Sequence, residues 1–218
     1  MRRRRGALTG AASVAVLLGL GAAIAWAAPA TIVDQANDTF DAASYAHDGG
    51  TVAQLTVTGS NHNATASANG PDGRALFRSN TITGGSTPVN GTQYLNAGSY
   101  PFICTIHPNM QATLNVTGTG LPRPTVDLAI TSRKLSKVVK KGKLAVKATT
   151  TGAPEVALSA ALGKRRIAAG TIPAGGTTAS LKLTKPGRQA LAGKEKATIK
   201  VTGTIDFGAP DTAKRKLS

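Results

Sequence analysis

Apolar and polar residues alternate with a period of two through much of the chain. Ala53, Leu55 and Val57 alternate with Gln54 and Thr56. Leu144, Val146 and Ala148 alternate with Lys143, Ala145 and Lys147. Ala179, Leu181 and Leu183 repeat the pattern against Ser180 and Lys182, as do Ala197, Ile199 and Val201 against Thr198, Lys200 and Thr202. Such alternation predicts strands with one buried face. Further short strands are predicted at residues 64–68, 76–77, 81–82, 93–95 and 100–104, with Leu114 and Val116 closing the series. Between them lie turn sequences such as Asn69-Gly70-Pro71-Asp72-Gly73. Residues 185–191 predict one helical turn. Many short strands with frequent turns give an all-β fold of sandwich type. The Gly/Pro segment at residues 118–124 favours an extended spacer and divides the β pattern in two.

The two ends of the chain follow other patterns. Met1-Arg2-Arg3-Arg4-Arg5 precedes an apolar, uncharged run over residues 10–25, and Ala25-Trp26-Ala27 is a small-residue cleavage pattern. Together they predict a signal peptide over residues 1–27 and an exported, periplasmic, extracellular or envelope-associated protein. An uncleaved anchor is the alternative, and Arg4-Arg5-Gly6-Ala7-Leu8 fits a twin-arginine signal only loosely. Residues 208–218 read as a basic tail without order.

Charge sharpens the division. The net formal charge of +16 splits into +4 for residues 1–27, −3 for residues 28–120 and +15 for residues 121–218. The resulting plan is a module over 28–120, a linker over 121–126, a basic module over 127–207 and the tail. The basic module predicts a polyanionic partner. After export that partner is an anionic cell-wall polymer or a membrane surface. Nucleic acid is not expected, because the module has only Phe207 for stacking on bases.

The chemistry is concentrated in Cys104-Thr105-Ile106-His107-Pro108-Asn109-Met110. This segment holds the only cysteine of the chain, one of its three histidines and one of its two methionines. A single cysteine excludes an internal disulfide, and an unpaired thiol in an exported protein suggests an occupied one. Thiolate, imidazole and thioether on one loop are soft donors that select copper, and a type 1 site adds a second imidazole. His62, at a strand–loop border, is the candidate for it. The metal set is therefore His62, Cys104, His107 and Met110, holding one copper per chain (Cu+/Cu2+). His47, before Asp48-Gly49-Gly50, reads as a loop histidine outside the site.

Cys104-x-x-His107-x-x-Met110, entered through Tyr100-Pro101-Phe102 and preceded by Asn61-His62-Asn63, resembles the plastocyanin/azurin family of cupredoxins, the small blue copper proteins. The spacing is that of an amicyanin-like ligand loop, with Gln111 departing from the glycine that many relatives carry just after the methionine. The resemblance covers roughly residues 31–118. It implies a cupredoxin Greek-key β-sandwich and a single-electron carrier with a redox protein partner. It also implies that Asn63 ties the His62 loop to the backbone near Thr105, and that the His107 edge, rimmed by Ile106 and Pro108, passes the electron. The basic half resembles, in general pattern, immunoglobulin-like sandwich modules of secreted bacterial proteins. Three histidines cannot build the additional copper sites of multicopper oxidases or nitrite reductases, so a non-enzyme is expected. Copper delivery without electron transfer, or envelope interaction through the basic module, are the alternative functions.

Overall fold

The structure is a computed structural model and describes residues 29–152 and 155–218. The predicted signal peptide lies outside the described residues. Among these, no helix is long and apolar enough to cross a membrane.

The described residues are all-β, built from four sheets around two separate apolar cores. The first core is enclosed by two four-stranded sheets. One joins β1 (Thr31–Gln35), β2 (Thr39–Phe40), β4 (Ala53–Val57) and β6 (Gly85–Val89) in the order β2-β1-β4-β6. The other joins β3 (Ser44–Asp48), β5 (Thr65–Ala66), β7 (Gly98–Ile103) and β8 (Gln111–Thr117) in the order β3-β8-β7-β5. Both contain a parallel pair, β1 with β4 and β3 with β8. Period-two burial is visible in each: Ile32 and Asp34 turn inward from β1, and Ala112, Leu114 and Val116 from β8. Phe40, Tyr45, Phe77 and Phe102 form the aromatic centre.

Four local expectations are corrected here. Residues 76–77 and 81–82 are not strands; around them the chain makes only isolated bridges, at Ala75, Arg78 and Ile82. Residues 93–95 are not a strand either, because Thr92–Tyr94 is a 3-10 turn. Gly91 enters it at φ 101°, in the left-handed region open to glycine, and Thr92 Oγ1 ties it down by accepting from Ala53 N and donating to Val89 O. His47 is no loop residue: it sits in β3, 1% exposed. Its Nδ1 accepts from Ala30 N at 3.1 Å, which leaves Nε2–H to donate to Thr51 O at 3.1 Å. Burial pushes its pKa down, so it stays a neutral structural imidazole.

The second core lies between the sheet β13-β10-β9 and the sheet β12-β11-β14-β15, both wholly antiparallel. The strands are β9 (Thr125–Ile130), β10 (Lys143–Thr151), β11 (Val156–Leu162), β12 (Arg165–Ile172), β13 (Thr178–Lys182), β14 (Ala197–Thr204) and β15 (Asp211–Leu217). The fourth correction is β15, which replaces the disordered tail. Leu217 is fully buried, Asp211 accepts from Leu128 N and Arg215 donates to Ile130 O, so the strand is fastened along its length. The predicted helical turn is present as α2 (Lys185–Leu191), capped by Thr184 Oγ1 accepting from Gly187 N. Gly187 lies so close to β12 that a Cβ there would stand 2.4 Å from Ile167 O. A further short helix, α1 (Leu135–Lys141), inserts Leu135 and Val138 into the core.

The two halves touch through charged and aromatic groups. Asp206 accepts from Arg74 and Arg78, the Arg78 guanidinium lies 4.2 Å from the Phe207 ring centre, and Asp72 accepts from Phe207 N.

Candidate metal centre

Cys104 follows β7, and Met110 precedes β8. The intervening loop is closed at its base by Cys104 N donating to Met110 O at 3.0 Å. Its tip is a β-turn in which Met110 N donates to His107 O at 2.8 Å, with Pro108 at the second position where its fixed φ suits the turn. Gln111 Nε2 donates to Pro108 O at 2.9 Å. The departure from glycine at this position therefore adds a brace.

His62 comes from the segment between β4 and β5. Its backbone is pinned by a two-way bridge with Ile82, His62 N to Ile82 O at 3.0 Å and Ile82 N to His62 O at 3.1 Å. Asn63 joins it to the loop: Asn63 Oδ1 accepts from Thr105 N at 3.0 Å, and Nδ2 donates to Thr105 Oγ1 at 2.8 Å and Thr81 Oγ1 at 3.0 Å. One nearly buried amide thus holds the His62 segment and the residue after Cys104 in fixed relation.

The result is a convergence of donor atoms. His62 Nδ1 and His107 Nδ1 each lie 3.9 Å from Cys104 Sγ and 3.2 Å from one another. The point equidistant from the corners of such a triangle is about 2.1 Å from each, close to the roughly 2.0–2.3 Å typical of bonds from a metal to imidazole nitrogen or thiolate sulfur. The donor set fits a single copper: one thiolate and two imidazoles on a trigonal plan. Among the described residues this is the one group of three or more such side chains that could hold a metal. His62 and Cys104 are fully buried, while the His107 side chain is 29% exposed and gives the site one edge on the surface. Met110 is fully buried at the base of the loop, in the same apolar cluster as Cys104. His47 lies outside the group.

Two acidic residues near the site were not singled out by the sequence pattern. Asp34, 4% exposed, places Oδ2 3.5 Å from His62 Nε2. Asp38, exposed at the turn between β1 and β2, places Oδ1 3.7 Å from His62 Nε2 and 3.8 Å from His107 Nε2. The signal for Asp34 was its place two residues after Ile32, an acid at an inward strand position.

No protein-family model matches the chain, and no curated protein matches it. Among solved structures, a reduced amicyanin variant overlaps 40% of this chain and 81% of its own length, at 17% identity and a TM-score of 0.34. A purple cupredoxin from Nitrosopumilus maritimus overlaps 40% of this chain and 98% of its own, at 20% identity and a TM-score of 0.33. A copper-containing nitrite reductase from Thermus scotoductus overlaps 41% of this chain and 22% of its own, at 21% identity and a TM-score of 0.33. The assignment rests on the donor atoms and their frame, not on these overlaps. Two β-sheets, a Cys-x-x-His-x-x-Met loop and a remote histidine that meets it give the first half of this chain a candidate site whose donors fit one copper.

Proposed function

We propose that the protein is an exported type 1 copper electron carrier. The observation that carries this reading is the convergence of two imidazoles and one thiolate from separate elements on a triangle that one copper spans. His62, Cys104, His107 and Met110 would hold the copper, and Asn63 would keep the two ligand segments in register. When bound, copper would supply the one-electron chemistry. The protein's part is to present the same donors to both states. Asn63 and the braced 107–110 turn support that rigidity. A catalytic second copper has no donors to use: His47 is buried and hydrogen-bonded at both ring nitrogens, and the chain has no fourth histidine. The redox protein partner would dock over His107, where Ile106 is 44% exposed beside Pro108. Stopped-flow reduction and reoxidation over repeated cycles tests carrier against delivery protein. A carrier is expected to retain its copper in the presence of a chelator. Loss of metal within a few cycles would establish delivery instead.

A specific feature supports an added role for the basic half. A groove of about 580 Å³ beside α1 is lined by Arg133, Lys134, Lys137, Lys141 and Lys143, with Thr131, Ser132 and Ser180, and by no acidic residue. Five cations around one groove suit a phosphate-bearing polymer or an anionic membrane surface. The Debye length falls from about 10 Å at 0.1 M salt to about 3 Å at 1 M, so exposed contacts of this kind weaken steeply. The full chain is expected to be retained on a phosphate-bearing matrix at low salt and released at high salt. The triple change Lys134→Glu, Lys137→Glu and Lys141→Glu is expected to elute at clearly lower salt than the same charge change at Lys164, Arg165 and Arg166. Equal elution of the two triples would rule out the groove.

A further inference from the structure

Among the described residues, His62 Nε2 is the one buried side-chain polar atom with no hydrogen-bond partner. A buried imidazole N–H normally finds an acceptor, because leaving it bare carries the full cost of desolvating it. The nearer of the two carboxylate oxygens beside it is Asp34 Oδ2, at 3.5 Å, against 3.7 Å for Asp38 Oδ1. The other carboxylate oxygen, Oδ1, is already engaged by Thr58 N at 2.8 Å and Thr58 Oγ1 at 3.0 Å. Thr58 therefore fixes the carboxylate's direction and leaves one oxygen free, aimed at the one bare donor. The gap exceeds an ordinary N–H···O distance of about 2.7–3.2 Å by only a few tenths of an ångström.

Burial separates Asp34 from the other acid nearby. The Asp34 side chain is 2% exposed and the Asp38 side chain 48%. Water and salt screen a charge at Asp38, whereas a charge at Asp34 acts on the site through protein. No lysine or arginine forms a salt bridge with Asp34 among the described residues; its one such neighbour is His62. A metal-bound imidazole commonly donates its second N–H to a carboxylate, which fixes the tautomer and makes the ligand more electron-rich.

We propose that Asp34 is the positioning residue of the copper centre: its Oδ2 accepts the Nε2–H of His62, leaves Nδ1 to the metal, and biases the centre toward Cu(II). The proposal rests on the copper reading given above. The sign follows from charge. Thiolate and Cu(II) together carry +1, the buried carboxylate brings the local sum to zero, and an added electron makes it negative. Asp34 therefore opposes reduction, and removing its charge favours Cu(I).

The test is a spectroelectrochemical titration of the copper-loaded full chain, with Asp34→Asn and Thr58→Ala beside the wild type. At the potential where the wild type is half reduced, Asp34→Asn is expected to show a Cu(I):Cu(II) ratio at least about tenfold higher, equivalent to a rise of 59 mV for a one-electron couple. Thr58→Ala removes one donor from Oδ1 and leaves more charge for Oδ2, so it is expected to shift the ratio in the opposite direction. Nitrogen-15 NMR of the diamagnetic Cu(I) form supplies a readout that a merely structural acid would not move. The Nε2–H of His62 is expected to be protected from solvent exchange in the wild type and to exchange faster in Asp34→Asn. Should Asp34→Asn fail to fold, Thr58→Ala and the His62 resonance decide alone. A coloured Asp34→Asn protein with unchanged potential and unchanged His62 exchange would overturn the role of Asp34 while leaving the site intact. A colourless wild type would instead overturn the copper reading, before any variant is made.

Discussion

Replacing Cys104 by serine is expected to abolish the visible thiolate-to-copper absorption and to weaken copper binding by more than about 100-fold. That figure is the upper end of what losing an outer-shell partner costs, and Cys104 would be a direct ligand. Sulfur and oxygen differ here in two ways that geometry cannot hide. The thiolate is soft and deprotonates readily when bound to a cation, whereas a serine hydroxyl is hard and stays protonated. Cys104 Sγ is also the apex of the triangle, 3.9 Å from each imidazole nitrogen, and the shorter C–O bond draws the donor away from both. Size is nearly conserved, so the metal-free variant is expected to fold. Its circular dichroism should match that of the metal-free wild type. A Cys104→Ser protein that stays blue would show that the thiolate lies elsewhere than proposed.

Phe102→Ala is expected to have the largest effect on stability, about 3–5 kcal/mol. The ring is fully buried and packs against Phe40 at 4.9 Å, Phe77 at 6.0 Å and Tyr45 at 6.1 Å between centroids. Removing it opens a cavity and breaks three aromatic pairs, each worth about 0.5–1.5 kcal/mol beyond its buried area. In a core with few aromatic rings there is little to collapse into the space. Because Phe102 is two residues before Cys104 on β7, the loss falls on the strand that presents the thiolate. A domain of this size loses about 4–8 °C of Tm per kcal/mol, so the first unfolding transition should fall by more than about 10 °C. The second core, which shares no residue with the first, should melt as before. Scanning calorimetry resolves the two. A loss below about 1 kcal/mol would mean that the aromatic centre is not where stability resides.

The residues proposed to carry the chemistry are mostly local in sequence, which is why a candidate set could be named from the sequence. Cys104, His107 and Met110 lie on one loop whose turn is set by Pro108. His62 and Asn63 stand out because histidine is scarce and Asn follows it. What escaped the sequence depends on long-range pairing. Strand β1 lies parallel to β4 and β3 parallel to β8, with partners such as Ser44 and Thr113 far apart in the chain. Those pairings turn Asp34 and His47 inward, and no local pattern shows which side of a short strand will be covered. The 3-10 turn at Thr92–Tyr94 replaced a strand because Thr92 bonds to residues of β4 and β6. Helix α1 was hidden by its lysines: only Leu135 and Val138 of its seven residues are buried. In β15 only Ala213 and Leu217 are apolar, beside three consecutive cations, which is too weak a pattern to announce a strand until the edge of β14 is present to pair with it.

The central claim is that one copper is held by His62, Cys104 and His107. The most direct measurement is a titration of the metal-free full chain with Cu(II), followed by visible absorption. One equivalent should produce an intense thiolate-to-copper band that saturates at a single copper per chain. A chain that stays colourless with Cu(II), or that saturates only at two or more coppers, would contradict it.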